Sequence, residues 1–175
     1  PVLLASKRTQ TFFNRKSYLC STPTVKGISR IEAAFEESDQ RYYYVPCPEC
    51  NHMQTLKWSN VVWEEDKPET AIYTCENGCI INESKKYWML KNGEWRATKE
   101  TKKIAGFHLN EIYSVFSSWG SMAENFLEAR KQPEMLKTFI NTSLAETWQP
   151  EPEEVVEAEG LMSRRESYDL ESIPD

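Results

Sequence analysis

Two short cysteine pairs, Cys47-Pro48-Glu49-Cys50 and Cys75-Glu76-Asn77-Gly78-Cys79, constrain this chain more than any other feature. Each pair can lie on a tight turn, and a strand-rich stretch separates them, so four thiolates can converge on one tetrahedral ion. Turns of this kind also aim backbone N–H groups at the sulfurs and disperse their negative charge. Asn51 follows the first pair, where a left-handed residue is needed and asparagine is tolerated. The second pair is one residue longer and places Asn77-Gly78 inside the loop. Zinc is the expected occupant, bound by Cys47, Cys50, Cys75 and Cys79. Its role is structural, since four thiolates leave no open position for a reacting water. Disulfides fit less well, because five cysteines leave an odd thiol and no secretory leader is visible. His52 reads as an exposed spacer.

Charge is distributed unevenly. The 175 residues carry a net charge of −6, but residues 151–175 alone hold nine acids against Arg164 and Arg165. Lys7, Arg8, Arg15, Lys16, Lys26 and Arg30 occupy the first 30 residues without a single acid. A second basic set, Lys85, Lys86, Lys91, Arg96, Lys99, Lys102 and Lys103, is opposed only by Glu94 and Glu100. Both sets are candidates for facing phosphates, with an ordinary solvated face as the alternative. An apolar content of 39% supports one or two small domains. No apolar run approaches a membrane span, so a soluble protein in a reducing compartment is expected.

The pattern predicts an α+β chain. Val2 to Phe13 reads as a helix or the end of one, and Ser17 to Cys20 as a short buried strand stopped by Pro23. Ile31, Ala34 and Phe35 give the stretch from Ile28 a helical face. Short strands follow at Tyr42 to Val45, Met53 to Trp58, Val61 to Trp63 and Ala71 to Thr74. Asn82 to Leu90 reads as a helix stopped by Asn92-Gly93, and Trp95 to Ala97 and Ile104 to Ile112 as extended, with His108 a half-buried strand residue. Trp119, Met122, Ala123, Phe126 and Leu127 fall at helical spacing, with Ser121 and Glu124 as a capping box. After Pro133, Leu136, Phe139, Ile140 and Leu144 mark a second helix. From Gln149 the prolines and acids suggest a linker. The chain contains no phosphate loop, nucleophile elbow, H-E-x-x-H motif or convincing acid cluster for two-metal nuclease chemistry.

Several segments in order carry a resemblance. They are Ser21-Thr22-Pro23-Thr24-Val25-Lys26-Gly27-Ile28-Ser29-Arg30-Ile31, Ser38 to Cys50, Gln54-Thr55-Leu56-Lys57-Trp58, Asn92-Gly93-Glu94-Trp95, Gly106-Phe107-His108-Leu109-Asn110, and Leu136 to Thr142 with Trp148. Together they resemble the large subunit of the lambda-like phage DNA-packaging terminase. Two positions depart from that pattern: the longer Cys75 to Cys79 spacing, and Ala145, where a glycine is expected.

The resemblance implies a segment of a two-part motor, with a P-loop ATPase before it and a metal-dependent nuclease after it. Residues 1–40 would be the C-terminal edge of the ATPase α/β domain, 41–115 a zinc-ribbon β subdomain, 116–148 a helix pair and 149–175 an acidic linker toward the nuclease. Ser21, Thr22 and Thr24 would then couple ATP hydrolysis to DNA movement, since hydroxyls at a strand end beside a phosphate loop can bond the γ-phosphate or its attacking water. Arg8 and Arg15 could stabilise phosphate charge or face DNA. ATP and Mg would belong to the parent protein only. Double-stranded DNA, the terminase small subunit and the procapsid portal are the implied partners, no membrane is involved, and the host cytoplasm is the implied location. With no catalytic residue of its own, the chain alone is expected to be inactive. The rival reading is a stand-alone zinc-ribbon adaptor that binds nucleic acid or protein. A self-sufficient nuclease is the weakest reading.

Overall fold

Each cysteine pair forms the tip of an antiparallel hairpin. A computed structural model describes residues 4, 7–101 and 104–149, and over these the chain mixes helix and sheet. In chain order the elements are α1 (Arg30–Glu36), β1 (Arg41–Pro46), β2 (Met53–Gln54), β3 (Val61–Glu64), β4 (Lys67–Thr74) and β5 (Ile80–Ile81). There follow α2 (Lys86–Lys91), β6 (Glu94–Ala97), β7 (Phe107–His108), α3 (Trp119–Ala129) and α4 (Pro133–Thr142). The run Tyr42-Tyr43-Tyr44-Val45 suits a pleated, half-buried strand, and β1 is the centre of the first sheet. It pairs antiparallel with β6 from Arg41↔Ala97 to Tyr44↔Glu94 and with β2 at Val45↔Gln54 and Pro46↔Met53. β7 runs parallel to its first residues, Arg41↔Phe107 and Tyr42↔His108. The second sheet is β3-β4-β5, with Asp66 left-handed in the first turn and a register shift between Val62 and Glu64.

Buried polar groups of large side chains hold these layers together. The Tyr113 hydroxyl donates to the Tyr43 carbonyl at 2.7 Å and accepts from the Leu56 N–H at 2.7 Å, tying the first sheet to the loop after β2. Trp119 is fully buried, packs on Tyr73 at 5.7 Å between ring centroids, and donates its indole N–H to the Ile112 carbonyl. Helix α3 lies close against β4, because Gly120 has no side chain; a Cβ there would stand 3.0 Å from the Pro68 carbonyl oxygen. Trp58, Trp63, Phe126 and Phe139 form an aromatic cluster between the helix pair and the second hairpin, at edge and tilted geometries that ring quadrupoles favour.

The structure departs from the sequence expectations in identifiable places. Ser17 to Cys20 is neither a strand nor buried, and Tyr18 is 90% exposed. Among the described residues no strand lies beside it, so it has no ladder to join. The extended reading of Ile104 to Ile112 contracts to the two residues of β7, and the Asn82 to Leu90 helix splits into a 3-10 turn at Glu83–Lys85 followed by α2. Helix α3 is capped by Ser118, which accepts from the Ser121 N–H, and not by Ser121 with Glu124. The Glu83 carboxylate also accepts from the Trp119 N–H, at 3.0 and 3.1 Å, and so supplies an anion to the helix start from a distant element. The acidic stretch 151–175 and most of the Val2 to Phe13 helix expectation's first turn lie outside the described residues.

Ala145 follows α4 with φ 55, a conformation that favours glycine. The expectation of a glycine there therefore has a backbone cause. Ala145→Gly should stabilise the fold by about 0.5–1 kcal/mol, the relieved left-handed penalty less the added chain entropy of glycine. A denaturant titration checks this, and an unchanged midpoint would show that the strain at Ala145 does not exceed the chain-entropy cost of glycine.

Candidate metal centre and flanking surfaces

The turn after β1 closes with Cys47 N–H donating to the His52 carbonyl at 2.8 Å and Asn51 N–H donating to the Cys47 carbonyl at 2.9 Å. Asn51 takes the left-handed conformation at φ 58. After β4 the equivalent bonds run from Cys75 N–H to the Cys79 carbonyl and from Gly78 N–H to the Cys75 carbonyl, both at 2.8 Å. Gly78, at φ 82, absorbs the extra residue of the longer pair.

The two turns bring the four sulfurs of Cys47, Cys50, Cys75 and Cys79 within 4.8 Å of one another. Cys50 and Cys75 Sγ are 3.8 Å apart. A tetrahedron with metal–sulfur bonds of about 2.3 Å has edges of about 3.8 Å, so the donors fit a metal ion. A disulfide would need about 2.05 Å. Asn77 supports the cluster twice, through its N–H to Cys75 Sγ at 3.4 Å and its side-chain amide to Cys50 Sγ at 3.5 Å. Among the described residues no other group of three or more His, Cys, Asp or Glu side chains converges in this way.

The electrostatics of the four thiols suit a cation. The His52 backbone N–H draws the Cys50 thiol down to about 6. Hydrogen bonding to Cys50 pushes Cys79 up to about 12, and burial raises Cys75. Cys50 therefore ionises readily, while its thiolate and burial favour the protonated forms of Cys79 and Cys75 respectively. A divalent cation would reverse that pattern.

A polar clamp links the two turns. Glu76 accepts from Lys57 Nζ at 2.8 Å and lies 3.1 Å from His52 Nε2; the Lys57 bond and then His52 hold its carboxyl below the usual range. The Glu76 N–H donates to the Gln54 side-chain oxygen at 2.9 Å. His52 is thus a partner of the second turn as well as a spacer. The sequence signal for Glu76 was its place inside the second cysteine loop, but its pairing across hairpins depends on the tertiary fold.

Ser21, Thr22 and Thr24 are exposed and line one groove of about 790 Å³ with Lys16, Tyr18 and Arg30. Thr24 N–H donates to the buried Ser29 Oγ at 3.2 Å. Arg8 and Arg15 are exposed, and an Arg15 guanidinium N–H reaches the Gln10 carbonyl. Of the second basic set, Lys85 and Lys91 are exposed, Arg96 pairs with Glu94 at 2.7 Å and stacks over Tyr44, and Lys99 Nζ donates to the Glu36 carbonyl at 2.9 Å. Lys102 and Lys103 lie outside the described residues. Lys86 is a correction: it is only 4% exposed, donates to the Ser117 carbonyl at 2.8 Å, pairs with Glu83 and lies over the Trp119 ring. An ammonium so engaged is a core strut and cannot meet a phosphate. His108 is half-buried in β7, with Nε2 3.0 Å from the Ala145 carbonyl oxygen.

Comparison with known proteins adds the following. A family model described as the phage terminase large subunit gpA, ATPase domain, matches residues 1–95, and one described as the terminase large subunit gpA, endonuclease domain, matches residues 104–175. The chain is similar to the terminase large subunit of Enterobacteria phage P21, at 34% identity over 96% of this chain and 30% of that protein. It is also similar to the terminase large subunit of Escherichia phage lambda, at 30% identity over 100% of this chain and 31% of that protein. The chain thus spans about a third of the length of these relatives. No solved structure matches it.

Proposed function

Since the chain belongs to the phage terminase large-subunit family, we propose that it works as the junction of an ATP-driven motor that packages double-stranded phage DNA and cuts it. The observation that carries this reading is the succession of ATPase and endonuclease matches along one chain, meeting across residues 96–103. On this reading residues 1–40 serve as the C-terminal edge of a P-loop ATPase, 41–115 as a zinc ribbon, 116–148 as a helix pair and 149–175 as an acidic connector. The helix pair and connector fall within the span of the endonuclease match. ATP and Mg would be held by a phosphate loop elsewhere in the large subunit, since no such motif occurs among these 175 residues. The terminase small subunit and the procapsid portal are the partners such a motor requires, and its setting is the host cytoplasm. Among the described residues no helix is long and apolar enough to cross a membrane.

Zinc suits the four-sulfur cluster by donor softness and tetrahedral fit, and its contribution is structural. Lys85, Lys91, Arg96 and Lys99, with Lys102 and Lys103, are the residues proposed to approach the duplex, by salt-dependent phosphate contacts. Ser21, Thr22 and Thr24 are proposed as the coupling hydroxyls, and their shared groove supports that role. In the full-length large subunit, Thr22→Val should leave ATP affinity nearly unchanged, because the phosphate loop holds the nucleotide. Loss of one transition-state hydrogen bond should slow the coupled step about 5- to 150-fold, with nucleotide-independent DNA cutting spared. Nucleotide affinity, ATPase rate and packaged length measured on the same variant test this. Wild-type packaging would remove Thr22 from the mechanism.

The stand-alone zinc-ribbon adaptor is the second reading, favoured only by the metal cluster itself. A gene encoding no phosphate loop before this segment would support it.

A further inference from the structure

The proposed coupling segment is fastened to the residues that follow α4. Val25 and Trp148 form a parallel bridge in which the Trp148 N–H donates to the Thr24 carbonyl at 2.8 Å and the Lys26 N–H donates to the Trp148 carbonyl at 3.0 Å. One carboxylate spans the same gap. Glu32 Oε2 accepts from the Gly27 N–H at 2.8 Å, while Oε1 accepts from the Thr147 hydroxyl at 3.2 Å, a contact 115 residues apart in sequence. The Trp148 N–H is shared with Asn141 Oδ1 on α4 at 3.1 Å, so the bridge is continuous with the helix pair.

We propose that Glu32, Thr147 and the Trp148 main chain form a strap that carries the nucleotide state of the Ser21 to Thr24 segment directly to the endonuclease-matched half, bypassing the metal hairpins. The inference rests on the coupling role proposed above for that segment. Three features suit the strap to two positions. It is built from a few main-chain bonds beside exposed Thr24 and Lys26, each of which contributes modestly in water. Gly27, left-handed at φ 77, gives the backbone next to the bridge conformational freedom. A cavity of about 400 Å³ lies beneath, lined by Phe35, Tyr42, His108, Ala145 and Thr147 among others, and gives the strap room to shift. Any movement of the Thr24 carbonyl either drags Trp148 and α4 with it or breaks the bridge. Either event makes the segment after α4 report on the Ser21 to Thr24 segment.

The test uses the full-length large subunit with Mg and either ADP or a non-hydrolysable ATP analogue. Amide exchange at Lys26 and Trp148 should differ between the two nucleotides by about 5- to 150-fold, the range of ordinary allosteric coupling. Equal exchange in both overturns the strap. Glu32→Ala and Thr147→Val should keep zinc content and the ATPase rate while lowering the nucleotide dependence of DNA cutting by a similar factor; unchanged dependence in both variants also overturns it. Thr22→Val separates the two claims. If it uncouples the motor and the strap variants do not, the strap alone fails, whereas a silent Thr22→Val with active strap variants removes the coupling role of the hydroxyls.

Discussion

Replacing Cys75 with serine, or stripping the metal with a strong chelator, should unfold both hairpins. Structural zinc contributes about 10–16 kcal/mol in small metal-folded units, comparable to or above the whole stability of an ordinary domain. Strands of two residues, β2 and β5, contribute few ladder bonds of their own, so an ion bound by the four sulfurs would supply most of the closure of both turns. Buried Cys75 also faces the core, so its loss opens the cluster from inside. Zinc uptake should release protons, since burial keeps Cys75 protonated and Cys79 is pushed up to about 12 in the bare cluster. Affinity should fall as pH is lowered, because protons and metal compete for the same sulfurs. Elemental analysis and circular dichroism with and without chelator provide the measurement. Cys20→Ser is the control; that thiol is exposed and outside the cluster, so neither signal should change. An intact fold with no metal, in protein purified without chelator, would rule out the centre.

Trp119→Ala should cost about 3–5 kcal/mol, the usual range for truncating a fully buried large aromatic. The site has reasons to sit at the upper end. Tyr73 loses its packing partner, the Ile112 carbonyl loses the indole N–H, and the buried Lys86 ammonium loses the ring it lies over. Burial already depresses the Lys86 pKa, with Glu83 opposing the shift, so removal of the ring leaves a charge with fewer compensations. Trp119→Phe should cost less, because it retains most of the volume and an aromatic ring and gives up the hydrogen bond and a smaller part of the packing. Urea unfolding of the metal-loaded chain gives both values. Equal midpoints for Trp119→Ala and wild type would show that Trp119 is not the keystone of this core.

The four-cysteine cluster was legible in the amino-acid order because its determinants are local: two cysteine turns, a left-handed Asn51 and an Asn-Gly loop. Strands β1, β3 and the second half of β4 were legible for the same reason, since alternating burial and turn residues act over a few positions; Met53 to Trp58, read as one strand, holds only the two residues of β2 before a 3-10 turn at Trp58–Asn60, and β5 was not read at all. Lys86 was not legible. It stands in a basic run, and only the distant Ser117, Glu83 and Trp119 turn it inward. The Glu83 cap of α3 and the clamp of Glu76 with His52 and Lys57 are contacts of the same kind, set by how elements meet. Ser17 to Cys20 shows the opposite error, in which local apolar character suggested burial where the described fold offers no neighbour.

The parallel contact of β7 with β1 has a consequence for the order in which the chain assembles. The cysteine hairpins close over short stretches and, with an ion to bind, can form while later residues are still being made. The β7 pairing and the Val25–Trp148 bridge must wait until residues beyond 107 and 148 have emerged, and they close long loops for few bonds. Contacts made last and cheaply are also the first to open in the native state. The chain therefore carries a gradient of permanence, from cysteine hairpins that close early and locally to a seam of late, long-range contacts that can part and re-form without disturbing the rest.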